Sequence, residues 1–176
     1  MAIPNNNNPN GLLVHGRNSA AGWVTCMQLQ KDAANATALF AGDACSRVNG
    51  FVTTVGIVPG TTPYQGVCLN YGAALTATDH KVITDDNALY TIQDNGVAAG
   101  VDFGRLGKNA NIVLTAGNVQ TGISRHQLDE ATIAVGAALD LHILDLMRTP
   151  KNTFGKNARV IVKFNGHRLS TATAGL

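Results

Sequence analysis

The sequence predicts an all-β protein: an antiparallel β-sandwich or barrel with a flexible N-terminal arm and at most one or two short helical turns. Three observations carry that expectation. Only 14% of residues are charged and Glu130 is the single glutamate, which leaves little for surface helices laced with Glu/Lys pairs. Glycine numbers 19, and threonine, valine and asparagine fill much of the remainder, a composition suited to short strands joined by turns. Residues 80–96, HKVITDDNALYTIQDNG, read as two strands around a polar turn. Val82 with Thr84, then Leu89 with Thr91, alternate against Lys81, Ile83, Tyr90 and Ile92 at the period of a pleat, and Asp85, Asp86 and Asn87 supply the turn.

Taken in order, residues 1–11 are an arm with little to bury, because Pro4 and Pro9 bracket a run of asparagines. It is read either as a tail or as a segment that orders against a neighbour. Residues 12–176 form one β domain, or two lobes of about 12–115 and 116–176; this length buries on the order of 70% of the unfolded surface. Leu12–Val14 and Gly22–Leu29, which includes the only tryptophan, Trp23, are strands buried on both faces or a short helix. Val48-Asn49-Gly50-Phe51 is a hairpin turn between a strand from Ala41 and a return over Val52–Val58. Gly66–Tyr71, Val101–Leu106 and Ile112–Leu114 are further strands. Ser124 and Gln127 have capping-box spacing and predict a helical turn through Glu130. Ala138–Leu146 reads as a strand with a bulge, since Leu144 and Leu146 change face. The last strand puts Ala158, Val160, Val162 and Phe164 inward and Arg159, Ile161 and Lys163 outward.

The chemistry searched for returns mostly negatives. Gly122-Ile-Ser124-Arg-His126 lacks the second glycine of a nucleophile elbow, and Ser124, His126 and Asp129 lie too close in sequence for a triad. Gly107-Lys108-Asn109 lacks the hydroxyl of a phosphate loop. The five histidines show no paired metal spacing, and Cys26, Cys45 and Cys68 form no C-x-x-C pair. No cofactor, metal site or catalytic residue is expected, and the chain reads as no enzyme. Nucleic acid is not an expected partner, because basic runs and paired strand aromatics are missing. Neither is a membrane: the longest strongly apolar uncharged run, Ala131–Leu139, falls far below the roughly 18 residues a spanning helix needs. The opening MAIPNNNNPNG has no basic and apolar export pattern, so a soluble protein in a reducing compartment is expected. Charge is uneven along the chain. Arg148, Lys151, Lys156, Arg159, Lys163 and Arg168 follow one another with no acid between, while five aspartates crowd residues 79–102. That asymmetry is either a pair of solvated faces or a polarised docking surface.

The succession of Gly42-Asp43 through Phe51, Gly66-Val67, residues 80–94, Gly122-Ile-Ser124 with Leu128-Asp129, and the closing RVIVKFNGH of 159–167 resembles the head decoration, or cement, proteins of tailed bacteriophages. It spans about residues 40–168. Members of that family often carry proline after the paired aspartates, where this chain has Asn87, and often end the last strand in Asn-x-His, as Asn165-Gly-His167 does. The resemblance implies a non-catalytic structural virion protein on the capsid surface, assembled in the host cytoplasm. Its partners would be the major capsid protein, whose subunit contacts it stabilises, and itself as dimer or trimer. Contact candidates are Ile3, Pro4, Asn5 and Pro9 of the arm, with Arg148, Lys151, Lys156, Arg159, Lys163 and Arg168. The alternative is a glycan-binding or adhesive β-sandwich domain, for which Tyr64, Tyr71 and Tyr90 are the available aromatics. A small β-barrel enzyme would need converging acids and histidines in a concave site.

Overall fold

The clearest alternation in the sequence becomes the centre of the larger sheet. The computed structural model describes residues 5–17 and 24–169. Strand β12 (Arg159–Phe164) buries Val160, Val162 and Phe164 and leaves Arg159, Ile161 and Lys163 half-exposed. It lies between β7 (Ala88–Gln93) and β11 (Leu141–Leu146), and β1 (Leu13–Arg17) and β8 (Asn109–Ala110) complete a five-stranded antiparallel sheet in the order β1-β7-β12-β11-β8. The expected bulge in β11 is present: its register with β12 shifts between Ile143 and Asp145.

The second body is a small closed barrel, ordered β2-β4-β3-β5-β6. Its strands are β2 (Cys26–Lys31), β3 (Ala44–Val48), β4 (Phe51–Thr53), β5 (Gly66–Cys68) and β6 (Thr78–Ile83). Asn49 and Gly50 take positive φ (50° and 91°) in the β3–β4 turn, the backbone that an Asn-Gly hairpin requires. A two-stranded ribbon, β9 (Ile112–Val113) with β10 (Gln127–Leu128), forms a third sheet whose Ile112 and Leu128 pack into the larger core.

Alternation along the barrel strands feeds two cores at once. Cys45, Cys68 and Val82 point into the barrel with Leu29, Leu39 and Val52. Their chain neighbours Ala44, Val67 and Ile83 join the larger core with Tyr64, Tyr90 and Phe164, where Phe164 stacks on Tyr64 at 5.0 Å and meets Tyr90 edge-on at 5.4 Å. Each such aromatic contributes about 2 kcal/mol or more by burial. Gly66 has φ +149, and a side chain there would run into the Ile83 carbonyl of β6, so the close approach of β5 to β6 depends on that glycine.

Four expectations change. The strands of residues 80–96 exist but do not pair with each other: β6 bonds β2 and β5, and β7 bonds β1 and β12. β7 is buried along almost its whole length, while β6 exposes Asp79 and Lys81 on one face; each takes its partners from its own sheet, and residues 84–87 carry the chain between bodies. Asp85 shapes that crossing by accepting from Asn87 N (2.9 Å) and Thr25 N (3.4 Å). Val101–Leu106 is not a strand: Val101 makes one bridge to Gly155, and Phe103–Arg105 is a 3₁₀ turn. No helical turn starts at Ser124, because its backbone N bonds Ala41 O and its Oγ accepts from His126 N. The 3₁₀ turn lies at Glu130–Thr132, capped by Asp129. Finally, the arm is not free over residues 5–11, for reasons given next.

Candidate interaction surface

Side-chain amides hold the N-terminal segment against the larger sheet. Asn5 Nδ2 donates to the carbonyls of Thr153 (2.8 Å) and Lys156 (2.9 Å), and Asn5 Oδ1 accepts from Thr153 N (3.0 Å). Gln93, at the end of β7, donates to Asn6 O (2.6 Å) and Asn157 O (2.9 Å) and accepts from Asn8 N (2.9 Å). Arg159 donates to Asn8 O (2.9 Å). Leu12 then enters the core, with its N–H on Gly42 O. The asparagine run that has nothing apolar to bury therefore finds partners through its amides and backbone. The expectation of a flexible arm is corrected for residues 5–11, while Ile3 and Pro4 lie outside the described residues.

The β11–β12 loop receives this segment and is itself braced. Asn152 Nδ2 donates to Met147 O and Arg159 O (both 2.7 Å), and Asn152 Oδ1 accepts from Arg159 N (2.8 Å). A groove of about 340 Å³ between segment and loop is lined by Asn5, Gln93, Lys151, Asn152 and Arg159, among others. Asn5, Lys151, Lys156 and Arg159 thus come together, with Pro9 half-buried further along the segment. Arg148 is exposed and pairs with Asp145 at 3.2 Å. The other two basic candidates lie elsewhere and serve the fold. Lys163 Nζ donates to Asn87 Oδ1 (3.1 Å) beside the 84–87 crossing, and Arg168 donates to Arg47 O (2.7 Å) on β3.

Several further ionisable groups are interior. His126 Nε2 lies 3.3 Å from Asp43 Oδ1, both side chains being nearly inaccessible. His126 Nδ1 accepts from Ala44 N (3.2 Å), so the ring is neutral with its proton on Nε2. Burial pushes the His126 ring down and the Asp43 carboxyl up, and their mutual attraction opposes both shifts. Ser124 also bonds Asp43, not the imidazole. With Nδ1 tied to the backbone and the Ser124 hydroxyl bonded to the His126 backbone N–H and to Asp43 but not to the imidazole, this trio joins the 124–126 segment to the barrel; it is not arranged as nucleophile and base. A mostly apolar groove of about 510 Å³ over Phe40, Leu114 and Val119 reaches the pair.

Other buried carboxylates cap loops. Asp140 accepts from Gly60 N (2.7 Å) and Ile112 N (2.9 Å), and Asp94 from Gly96 N (2.6 Å) and Ala158 N (3.1 Å). Burial raises both carboxyls. Glu130 accepts from Ala98 N (3.0 Å) and Gly100 N (2.6 Å). Lys31, wholly buried at the end of β2, donates to Asn35 O (3.0 Å) and approaches two further carbonyls, and burial lowers its ammonium pKa. In the barrel core, contact with Cys45 and then burial push the Cys68 thiol well up, which keeps it protonated and unreactive. Among the described residues no three His, Cys, Asp or Glu side chains gather to hold a metal ion, and no helix is long and apolar enough to cross a membrane.

No protein family matches the chain, and no curated protein or solved structure is significantly similar to it.

Sequence reasoning did not find the Asp43–His126 pair, the Glu130 cap or the buried Lys31. The first joins distant segments, so no spacing announces it. For Glu130 the one available signal was its being the only glutamate in the chain.

Proposed function

We propose that this chain is a structural virion protein: a capsid decoration, or cement, protein that binds the outside of a tailed-phage head and stabilises contacts between major capsid subunits. The observation that carries the reading is how the chain divides its chemistry. Buried Asp43, Asp94, Glu130, Asp140, His126 and His167 are engaged by loop backbones or by one another, while the groups left outward on one side are contact chemistry: lysines on a braced loop beneath a strapped N-terminal segment. The motifs that resemble cement proteins are also the frame of the fold. Residues 80–94 supply β6, the crossing and β7, joining the two bodies, and residues 159–167 supply the central strand β12 and His167, which contacts Gln65 O at 3.1 Å. A rigid two-body β frame with a basic loop suits a subunit repeated over a shell, where effective concentration multiplies weak contacts.

The glycan-binding alternative loses its aromatics. Tyr64 and Tyr90 are fully buried, and Tyr71 is half-buried against Phe40, so none offers an open face for a sugar.

Size-exclusion chromatography with and without purified heads assembled without this protein tests the proposal. The protein is expected to migrate with the heads; separate elution at micromolar concentration overturns the reading.

A further inference from the structure

Two loops stitched together on the surface expose an aromatic pair. Phe103 and Phe154 meet edge-to-face with ring centroids 6.3 Å apart, yet they remain 74% and 37% exposed, and Val97, on the same loop as Phe103, is 69% exposed. Ala98, Ala99 and Gly104 are exposed as well. Isolated exposed apolar residues need no explanation, but two exposed phenylalanines in mutual contact do.

The cluster is held rigid from behind. Gly155 N donates to Val101 O (2.8 Å), closing the 97–105 and 147–158 loops onto each other. Glu130 fixes the first loop from beneath through the Ala98 and Gly100 amides. Asn5 and Asn152 fix the second, as described above. Little ordering cost is left for a partner to meet.

The charge on the loop that carries Phe154 has one sign. Lys151 and Lys156 are exposed on the same loop as Phe154, and the one acid beside Phe103, Asp102, already faces Arg105 at 4.0 Å. Aromatic anchors inside a charged rim are the anatomy of a protein contact. A second copy docked on the same patch about a two-fold axis would bring like lysines together.

We infer that the Phe103–Phe154 pair is the apolar anchor of a docking surface for an acidic protein face, its lysine rim steering the approach. The identity of that face rests on the decoration reading: it is the outer surface of the major capsid subunit.

The test uses the full chain carrying Phe103→Ser with Phe154→Ser, and separately Lys151→Glu with Lys156→Glu. Each variant is first checked for an unchanged circular dichroism spectrum, then titrated against purified heads lacking this protein, at low and high salt. Both phenylalanines being anchors, the first variant should lose about 30-fold or more in affinity at either salt. The second should bind more slowly and lose most of the wild-type salt dependence. Wild-type binding matched by the serine variant overturns the anchor while leaving the decoration reading standing. Failure of the wild type to bind heads overturns that reading and, with it, the assigned partner. Phenylalanine-dependent binding to anionic phospholipid vesicles, or concentration-dependent self-association lost in the serine variant, would assign the patch to a membrane or to a second copy and overturn the inference.

Discussion

Glu130 is the residue at which a single substitution reads out most of the architecture. Its side chain is fully buried, accepts from Ala98 N (3.0 Å) and Gly100 N (2.6 Å), and lies 3.6 Å from the Arg105 guanidinium. Glu130→Ala leaves the buried Gly100 N–H without a partner and removes the acceptor facing Arg105. Water can replace the acceptor only at Ala98, which is exposed. Two hydrogen bonds to a charged acceptor, one of them in a dry site, give an expected loss of about 3–4 kcal/mol. For a chain of this size that corresponds to a melting temperature lower by roughly 6–16 °C. Glu130→Gln keeps the shape and one carbonyl acceptor, so about 1–2 kcal/mol is expected. Urea denaturation followed by circular dichroism measures both. The reasoning fails if Glu130→Ala costs less than about 1 kcal/mol, or if the two variants are equally damaging.

Deleting residues 1–10 removes the Asn5, Asn6 and Asn8 bonds, which are mostly exposed, so the isolated protein should lose about 1–2 kcal/mol; an unchanged melting temperature would show that the segment is not held in solution. Asp86→Asn should preserve stability, since Asp86 Oδ1 only accepts from the Asn87 side chain (3.1 Å), whereas Asp85→Ala should cost about 1–3 kcal/mol by freeing the Asn87 and Thr25 amides at the crossing; equal losses in a melting comparison would contradict this. Acid should weaken the fold. His126 and His167 are buried, with rings pushed below the ordinary 6.5 mainly by burial; the unfolded chain takes up protons that the folded chain refuses, so their stabilisation is complete above pH 6.5 and is lost as pH falls, at up to about 1.4 kcal/mol per pH unit each. Asp43, Asp94 and Asp140, raised above 3.8 by burial, act in the opposite sense and favour the protonated fold at lower pH. The urea midpoint should therefore drop from pH 7 to about pH 5.5 and then flatten; a midpoint that rises over that first interval would refute the sign.

What the sequence reveals is what local chemistry decides. The strict alternation of β12, the Asn49-Gly50 turn and the face change at Leu144 are all legible, because pleat period and turn backbone act within a few residues. Pairing is not local. Residues 80–96 look like a hairpin, yet Ile83 is drawn toward the larger core and Val82 into the barrel, and that competition is decided by segments far along the chain. Val101–Leu106 has strand-like apolar residues, but Phe103 turns outward and Gly155 takes the Val101 carbonyl. The asparagine arm looks unbindable by an apolar criterion and is bound by a polar one. At the candidate surface the basic residues were visible in the sequence, whereas their separation, with Lys163 and Arg168 tied into the fold and Lys151 and Lys156 left outward, depends on contacts across the two bodies.

Cryo-electron microscopy of heads incubated with the purified protein tests the central claim most directly. The account predicts density for a two-body β protein on the outer surface, repeated at symmetry-related positions, with the loops carrying Phe103 and Phe154 against the shell. Heads that remain bare under saturating protein would contradict it.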